Sequence, residues 1–142
     1  MTDSPNKSVL GYLEHVQLPE LDIACDVKVD TGACSSSLHA EQIELIEKDG
    51  EDWVRFHVLF NRKGNRIDQV CEAKLLGRKR IASSNGQRSY RYAIQTDIEL
   101  GGQRWSIDLN LSHRGSMTYP MLLGREAIQG RFLVDVALTF QG

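Results

Sequence analysis

A regular alternation of apolar and polar residues late in the chain constrains the fold most strongly. Trp105, Ile107, Leu109 and Leu111 alternate with polar neighbours, which predicts a strand with one buried face. Similar short runs, rich in β-branched and aromatic residues, recur between turn residues, and proline is scarce. The sequence therefore predicts an all-β fold. No linker or repeat divides residues 1–142, so we expect one domain in which residues 1–8 are flexible.

Two hairpins are predicted in the middle of the chain. Asn85-Gly86 lies inside the β-patterned segment Ile81–Tyr92, and Asn-Gly between two such runs is the strongest short-range hairpin signal. The segment Ile43–Phe60 is predicted to form a second hairpin that turns at Asp49-Gly50. A helix over Glu41–Lys48 also fits the apolar spacing there, and the pattern alone does not decide between the two.

The net charge of −2 is unevenly distributed along the chain. Residues 1–50 carry 10 acidic and 3 basic side chains, whereas the segment Lys74–Arg91 carries six basic residues and no acidic one. Such a segment attracts an anionic partner or forms an ordinary solvated strand surface, and the sequence leaves both interpretations open. We expect no nucleic-acid partner, because few aromatic residues lie within the basic segment.

The composition also bears on compartment and cofactors. No apolar run approaches the roughly 18 residues of a membrane span, and the first residues lack the apolar stretch of a signal peptide. We therefore expect a cytoplasmic protein with no membrane partner. Cys25, Cys34 and Cys71 are odd in number and show no Cys-x-x-Cys spacing, which favours free thiols over disulfides or a zinc site. We expect neither a metal nor a cofactor.

The motif with the most chemical content is Asp30-Thr31-Gly32. An Asp before Gly is on its own typical of a turn. Here it directly follows the predicted strand Val27–Val29, and Ala33 follows the glycine. Far downstream, Leu122-Leu123-Gly124-Arg125 precedes a predicted short helix over Glu126–Gln129 that ends at Gly130. The chain is then predicted to close with a strand over Phe132–Phe140.

At these residues the chain resembles the retropepsin-like aspartic proteases. That family combines an Asp-Thr-Gly-Ala loop, a glycine-bearing flap hairpin and an apolar-apolar-Gly-Arg segment that opens a short helix. The chain is most similar to the bacterial RimB-like branch, often labelled ATP-dependent zinc proteases, some of which are encoded beside ATP-grasp glutamate ligases of the RimK type. The closer match is carried by Val27–Ala33, Leu38-His39-Ala40, Ser83–Gly86 and Leu122–Glu126. The resemblance implies a closed β-barrel with a flap and one short C-terminal helix.

The resemblance also implies a role for each matched residue. Asp30 is the implied catalytic carboxylate, Thr31 hydrogen-bonds across a dimer, and Gly32 lets the two loops approach closely. The hairpin Ile81–Tyr92 is the implied flap. The substrate-binding residues of the flap and loop are then Ala33, Arg80, Ser83, Ser84, Asn85 and Gly86. The residues implied to support the loop from behind are Leu122, Leu123, Gly124 and Arg125.

A homodimer follows from the single Asp-Thr-Gly. Peptide hydrolysis by this chemistry uses two carboxylates that share a proton, so the second must come from another copy across a two-fold axis. The C-terminal run Ala137-Leu138-Thr139-Phe140 then enters an intersubunit sheet or forms an ordinary edge strand, and both interpretations stay open.

Two positions depart from the family pattern. Viral retropepsins have an aspartate two residues after the glycine, and it pairs with the arginine of the Gly-Arg segment. This chain has Cys34 there, so Arg125 is predicted to pair with Glu126 or a neighbouring carboxylate. Lys28 lies within the strand leading to Asp30, and strand alternation places it on the outward face.

The sequence thus predicts an aspartic endopeptidase that acts on a peptide or protein. The basic segment near the flap favours an acidic substrate, such as a glutamylated protein tail. The alternative is a catalytically weak or inactive retropepsin-like binding module that regulates a RimK-type glutamate ligase.

Overall fold

The computed structural model describes residues 7–82, 88–112 and 119–142, and their side chains except in residues 79–82 and 88–90. Strands dominate the described residues, as the alternating pattern predicts. The strands are β1 (Ser8–Leu10), β2 (Leu13–Leu18), β3 (Ile23–Asp30), β4 (Ser36–His39), β5 (Glu41–Lys48), β6 (Glu51–Arg62), β7 (Asn65–Ala82), β8 (Arg88–Leu100), β9 (Gln103–Ser112), β10 (Met121–Gly124) and β11 (Phe132–Val134). The helical elements are a 3-10 turn at Pro19–Leu21 and the helix α1 (Arg125–Ile128).

Six strands close into a barrel. They follow the order β2-β3-β10-β4-β9-β8, and a pairing of Gln17 in β2 with Glu99 in β8 closes the ring. Alternate residues of each strand face inward, so that Trp105, Ile107 and Leu109 of β9 are buried while the polar residues between them are exposed. The predicted all-β closed barrel is therefore confirmed.

The strands β5 and β6 extend the sheet beyond the barrel. The predicted hairpin over Ile43–Phe60 is confirmed, because β5 and β6 are antiparallel from Glu44↔Arg55 to Lys48↔Glu51. Asp49 and Gly50 both have positive φ, as a tight two-residue hairpin turn requires. The competing helix over Glu41–Lys48 does not form, since strand pairing with β6 satisfies the backbone of this segment.

The strands β7 and β8 form the long hairpin predicted around Asn85-Gly86. They pair from Leu75↔Ile94 to Ala82↔Arg88. The predicted flap residues Ser83, Ser84, Asn85 and Gly86 lie outside the described residues, as does the side chain of Arg80.

The C-terminal part differs from the prediction in two ways. The helix begins at Arg125, one residue earlier than predicted. The predicted strand over Phe132–Phe140 was too long: β11 ends at Val134, because Asp135 makes a turn in which its backbone carbonyl and side chain accept from the backbone N–H groups of Leu138 and Ala137.

The C-terminal run beyond that turn lies beside its own chain. Thr139 makes an isolated parallel bridge to Leu13. The N–H of Tyr12 donates to the Leu138 carbonyl, and the N–H of Phe140 donates to the Leu13 carbonyl. In the described part of the chain, no helix has the length and apolar character needed to cross a membrane.

Candidate active site

The strand β3 delivers Asp30 to the end of the barrel. Val27 and Val29 point into the core, whereas Lys28 is exposed, as alternation predicts. The neighbouring strand β10 runs parallel to β3 in a register that places Gly124 opposite Asp30. The downstream Leu-Leu-Gly segment and the Asp-Thr-Gly loop, about ninety residues apart in sequence, are thus adjacent in the sheet.

A tight turn follows Asp30. The Asp30 Oδ1 accepts a hydrogen bond from the N–H of Gly32 at 2.9 Å, and the Asp30 carbonyl accepts from the N–H of Ala33 at 3.1 Å. These two bonds orient the half-buried carboxylate while Thr31 and Gly32 remain exposed. A Cβ at Gly32 would stand 3.2 Å from the Asp30 Oδ1, so a side chain there would crowd the carboxylate.

Arg125 holds the outer side of this loop. Its Nη1 donates to the carbonyls of Thr31 at 3.2 Å and Gly32 at 3.4 Å, and its Nη2 lies 2.8 Å from the Cys34 Sγ. Its own backbone N–H donates to the Ala33 carbonyl at 2.9 Å. Arg125 therefore contacts each of the four residues after Asp30, three through its guanidinium and Ala33 through its backbone N–H.

The prediction that Arg125 pairs with Glu126 or a neighbouring carboxylate was wrong. Glu126 forms none of the ion pairs of the described residues, and its backbone N–H donates to the Cys34 carbonyl at 3.1 Å. The cysteine sulfur and two main-chain carbonyls replace the carboxylate of viral retropepsins, because Cys34 occupies the equivalent loop position. The departure noted at Cys34 was the sequence signal for this contact, but it did not reveal that the sulfur itself is the acceptor.

The other residues predicted to support the loop lie directly behind it. Leu123 is fully buried, and Leu122 is half-buried. The N–H of Gly124 donates to the Ser36 Oγ at 2.9 Å, and a Cβ at Gly124 would overlap the Ser35 carbonyl. Only glycine fits this approach between β10 and the chain entering β4. Sequence reasoning did not single out Ser36, whose hydroxyl fixes the contact.

His39 is separate from the Asp30 turn. It is buried, and its Nε2 lies 3.1 Å from the Glu41 Oε2. Its backbone N–H donates to the Pro120 carbonyl. These contacts give His39 a polar structural role.

Within residues 7–82, 88–112 and 119–142, no group of three or more His, Cys, Asp or Glu side chains is placed to hold a metal ion. Burial raises the pKa of the Cys25 thiol to about 12 and that of the Cys71 thiol to about 12, so both are neutral thiols near pH 7. Cys34 is exposed.

A closed β-barrel whose Asp-Thr-Gly loop ends one strand, beside a Leu-Leu-Gly-Arg segment on the next, is the architecture of retropepsin-like aspartic proteases. The model of the RimB-like family, described as "Retropepsin-like aspartic endopeptidase RimB", matches residues 9–141. The chain belongs to this family.

Relatives of the chain carry a different name. It is 41% identical over 138 residues to a "Probable alpha-L-glutamate ligase" of Shewanella pealeana. The aligned region covers 96% of this chain and 30% of that protein. Proteins of the same name from Desulfotalea psychrophila and Parasynechococcus marenigrum are 38% and 39% identical, with 97% and 91% of this chain covered. The chain spans about 30% of the length of these relatives.

A solved structure shares the whole fold. The crystal structure of Lpg0085 from Legionella pneumophila, described as a protein of unknown function, superposes with a TM-score of 0.76 at 34% identity. The match covers 95% of this chain and 98% of that one.

Proposed function

We propose that this chain is a homodimeric aspartic endopeptidase. The observation that carries the proposal is the placement of Asp30: it ends a buried strand, and its carboxylate is oriented by the Gly32 N–H in a loop that Arg125 holds in place. The motif Asp30-Thr31-Gly32 occurs once in the chain, so the second carboxylate comes from a second copy.

The chemistry needs both carboxylates close together. One accepts a proton from a water molecule as that water attacks the peptide carbonyl, and the other donates a proton to the carbonyl oxygen. Two carboxylates at hydrogen-bonding distance cannot both ionise, so they share one proton and titrate as a unit. Thr31 and Gly32 are exposed beside Asp30, which supports their proposed place at the contact between the two loops.

An exposed apolar surface supports the dimer. Among the residues whose side chains the structure describes, most of the large exposed apolar ones lie on the N- and C-terminal segments: Val9, Tyr12, Leu133, Val136 and Phe140. The Tyr12 carbonyl accepts from the N–H of Val29 at 2.8 Å, one residue before Asp30. Tyr12 is therefore bonded to the strand that carries Asp30, and in this proposal burial of the apolar side chains against a second copy brings the two loops together.

We propose a peptide or protein substrate with an acidic segment, such as a glutamylated tail. Two observations support this choice: basic residues of the segment Lys74–Arg91 lie on the paired strands β7 and β8, which lead to the proposed flap, and relatives are named probable alpha-L-glutamate ligases. In this proposal Ala33, Arg80, Ser83, Ser84, Asn85 and Gly86 contact the substrate.

Peptide cleavage by the purified protein tests the proposal. Asp30→Asn keeps the size of the side chain but removes the ionisable group, and we expect it to abolish cleavage of a glutamate-rich peptide while the dimer still forms. The matched control is Asp52→Asn, an exposed acid on the β5–β6 hairpin, which should cleave like the wild type. Equal cleavage by wild type and Asp30→Asn would overturn the proposal.

A second candidate function is favoured by the relatives. Because the chain matches only 30% of proteins named as ligases, it corresponds in sequence to one part of a larger protein. A catalytically inactive module that binds and regulates an ATP-grasp glutamate ligase of the RimK type would need the same fold. In that case Asp30→Asn would still bind the ligase and change its rate, and neither variant nor wild type would cleave peptide.

A further inference from the structure

Arg62, at the end of β6, presents a guanidinium with few partners. Its Nη1 donates to the Ala24 carbonyl at 3.4 Å, and its Nη2 lies 3.4 Å from the His15 Nε2. Both distances are long for hydrogen bonds, and a guanidinium has five N–H donors. None of the ion pairs formed by the described residues includes Arg62. Most of its donors are therefore available to a ligand.

A neighbouring pair of side chains fixes the position of this guanidinium. The His15 Nδ1 lies 2.9 Å from the Asp26 Oδ1. An ionised carboxylate only accepts hydrogen bonds, so the Nδ1 of a neutral ring carries the proton and the Nε2 presents a lone pair to Arg62. The guanidinium is thus held in place by an acceptor that does not neutralise its charge.

Arg62 lines a cavity of about 460 Å³ between β2, β3 and the β6–β7 hairpin. This volume is in the range of small-molecule sites. The cavity combines apolar walls, two amide side chains and one acid. Its principal lining residues are Gln17, Asp22, Phe60, Arg62, Ile67 and Gln69.

Two unpaired charges of opposite sign face this cavity. The Asp22 carboxylate takes part in none of the ion pairs or side-chain hydrogen bonds of the described residues, and Arg62 takes part in none of the ion pairs. The two side chains form no ion pair with each other. A ligand that carries both a carboxylate and an ammonium group satisfies both charges, whereas a simple anion is repelled by Asp22.

We propose that this cavity binds a free α-amino acid. The ligand carboxylate accepts hydrogen bonds from the Arg62 guanidinium, and the ligand ammonium group donates to the Asp22 carboxylate. The ligand side chain lies against Phe60 and Ile67, within reach of the two glutamine amides. The lining contains no residue of the Asp30 loop, so the site stands whether or not the chain is a peptidase.

Calorimetric titration of the full chain with L-leucine, L-glutamine and L-glutamate tests this site. We expect saturable binding of at least one of them, at millimolar concentration or tighter. Arg62→Gln and Asp22→Asn should each weaken it on the order of tenfold or more, since each removes one charged partner. The control Arg66→Gln removes the same charge from an exposed position on the same hairpin and should leave binding unchanged.

Matched ligands separate an amino-acid site from a general anion site. The carboxylic acid that matches the bound amino acid but lacks its ammonium group should bind at least tenfold more weakly than that amino acid. Inorganic phosphate should not compete with the amino acid for the site. Should Arg62→Gln fail to fold by circular dichroism, Arg62→Lys keeps the charge without the fork and should still weaken binding. Absence of saturable binding for all three amino acids, or equal binding of the acid without its ammonium group, would overturn the proposal.

Discussion

The Nη2 of Arg125 lies 2.8 Å from the Sγ of Cys34, so a sulfur atom accepts where viral retropepsins have a carboxylate. The same guanidinium donates to the carbonyls of Thr31 and Gly32. Cys34 thus acts on the Asp30 turn through Arg125, which makes it a positioning residue in the proposed peptidase.

Removing the sulfur should loosen the Asp30 turn. We expect Cys34→Ala to increase hydrogen exchange at the amides of Gly32 and Ala33, which donate to the Asp30 side chain and carbonyl, on the order of tenfold. Cys34→Asp restores a charged acceptor for Arg125 and should keep both amides protected. Exchange that is unchanged in Cys34→Ala would show that the Arg125–Cys34 contact does not hold the turn.

A methyl group at Gly124 should destabilise the fold. Its Cβ would overlap the Ser35 carbonyl, which is backbone and cannot move aside cheaply. We expect Gly124→Ala to cost about 2 kcal/mol or more of unfolding free energy, and to lower Tm by several degrees. The control is Gly77→Ala, where a Cβ meets nothing within 4 Å. Equal Tm values for the two variants would contradict the close packing of β10 behind the loop.

The buried carboxylate of Glu14 should anchor the C-terminal segment. Its Oε2 accepts from the N–H groups of Gly11 and Gln141, and its Oε1 accepts from that of Gly142. Glu14→Gln replaces one acceptor oxygen by a donor that faces an N–H group, so we expect a loss of about 2 kcal/mol in chemical denaturation. Glu44→Gln, at an exposed ion pair with Arg55, should change stability by less than about 0.5 kcal/mol.

The three thiols should differ sharply in reactivity. Cys25 and Cys71 are buried, and burial raises the pKa of each to about 12, whereas Cys34 is exposed. The thiolate is the reactive form, so a short treatment with iodoacetamide near pH 8 should add one label per native chain, at Cys34. Labelling of the chain unfolded in guanidinium chloride should add three labels, one at each cysteine. Two or more labels on the native protein would contradict the burial of β3 and β7 at these positions.

The same pKa shifts determine the sign of a pH effect. Above the ordinary thiol pKa of 9.0, Cys25 and Cys71 ionise in the unfolded chain but stay protonated in the folded one. The unfolded state then binds fewer protons, and unfolding free energy should fall as the pH rises from about 9 towards 12. Replacing Cys71 by Ala should reduce this slope when denaturation is measured at pH 8 and pH 10.

Local patterns in the sequence predicted most strands and the neighbourhood of Asp30. The alternation around Val27–Val29 fixed which side chains enter the core, and Asp49-Gly50 supplied the positive φ of the β5–β6 turn. The apolar spacing of Glu41–Lys48 fits both a strand and a helix. The segment forms a strand because it pairs with β6.

Features that depend on distant contacts were not predictable. The segment after Val134 has the apolar composition of a strand, but the Asp135 turn redirects it to pack beside Tyr12 and Leu13. The acceptor role of Cys34 depends on where the end of β10 places Arg125, and the sequence alone does not give that position. The charge balance of the Arg62 cavity likewise arises only when the β6–β7 hairpin folds over β2 and β3.

The distance between the two Asp30 carboxylates in a crystal structure of the assembled protein tests the proposed chemistry most directly. We predict a two-fold dimer in which these carboxyl groups approach to about 3 Å, close enough to share a proton and hold one water molecule. A separation of roughly 10 Å or more in every assembly that the protein forms would leave no water within reach of both groups. That result would contradict hydrolysis by a pair of aspartates.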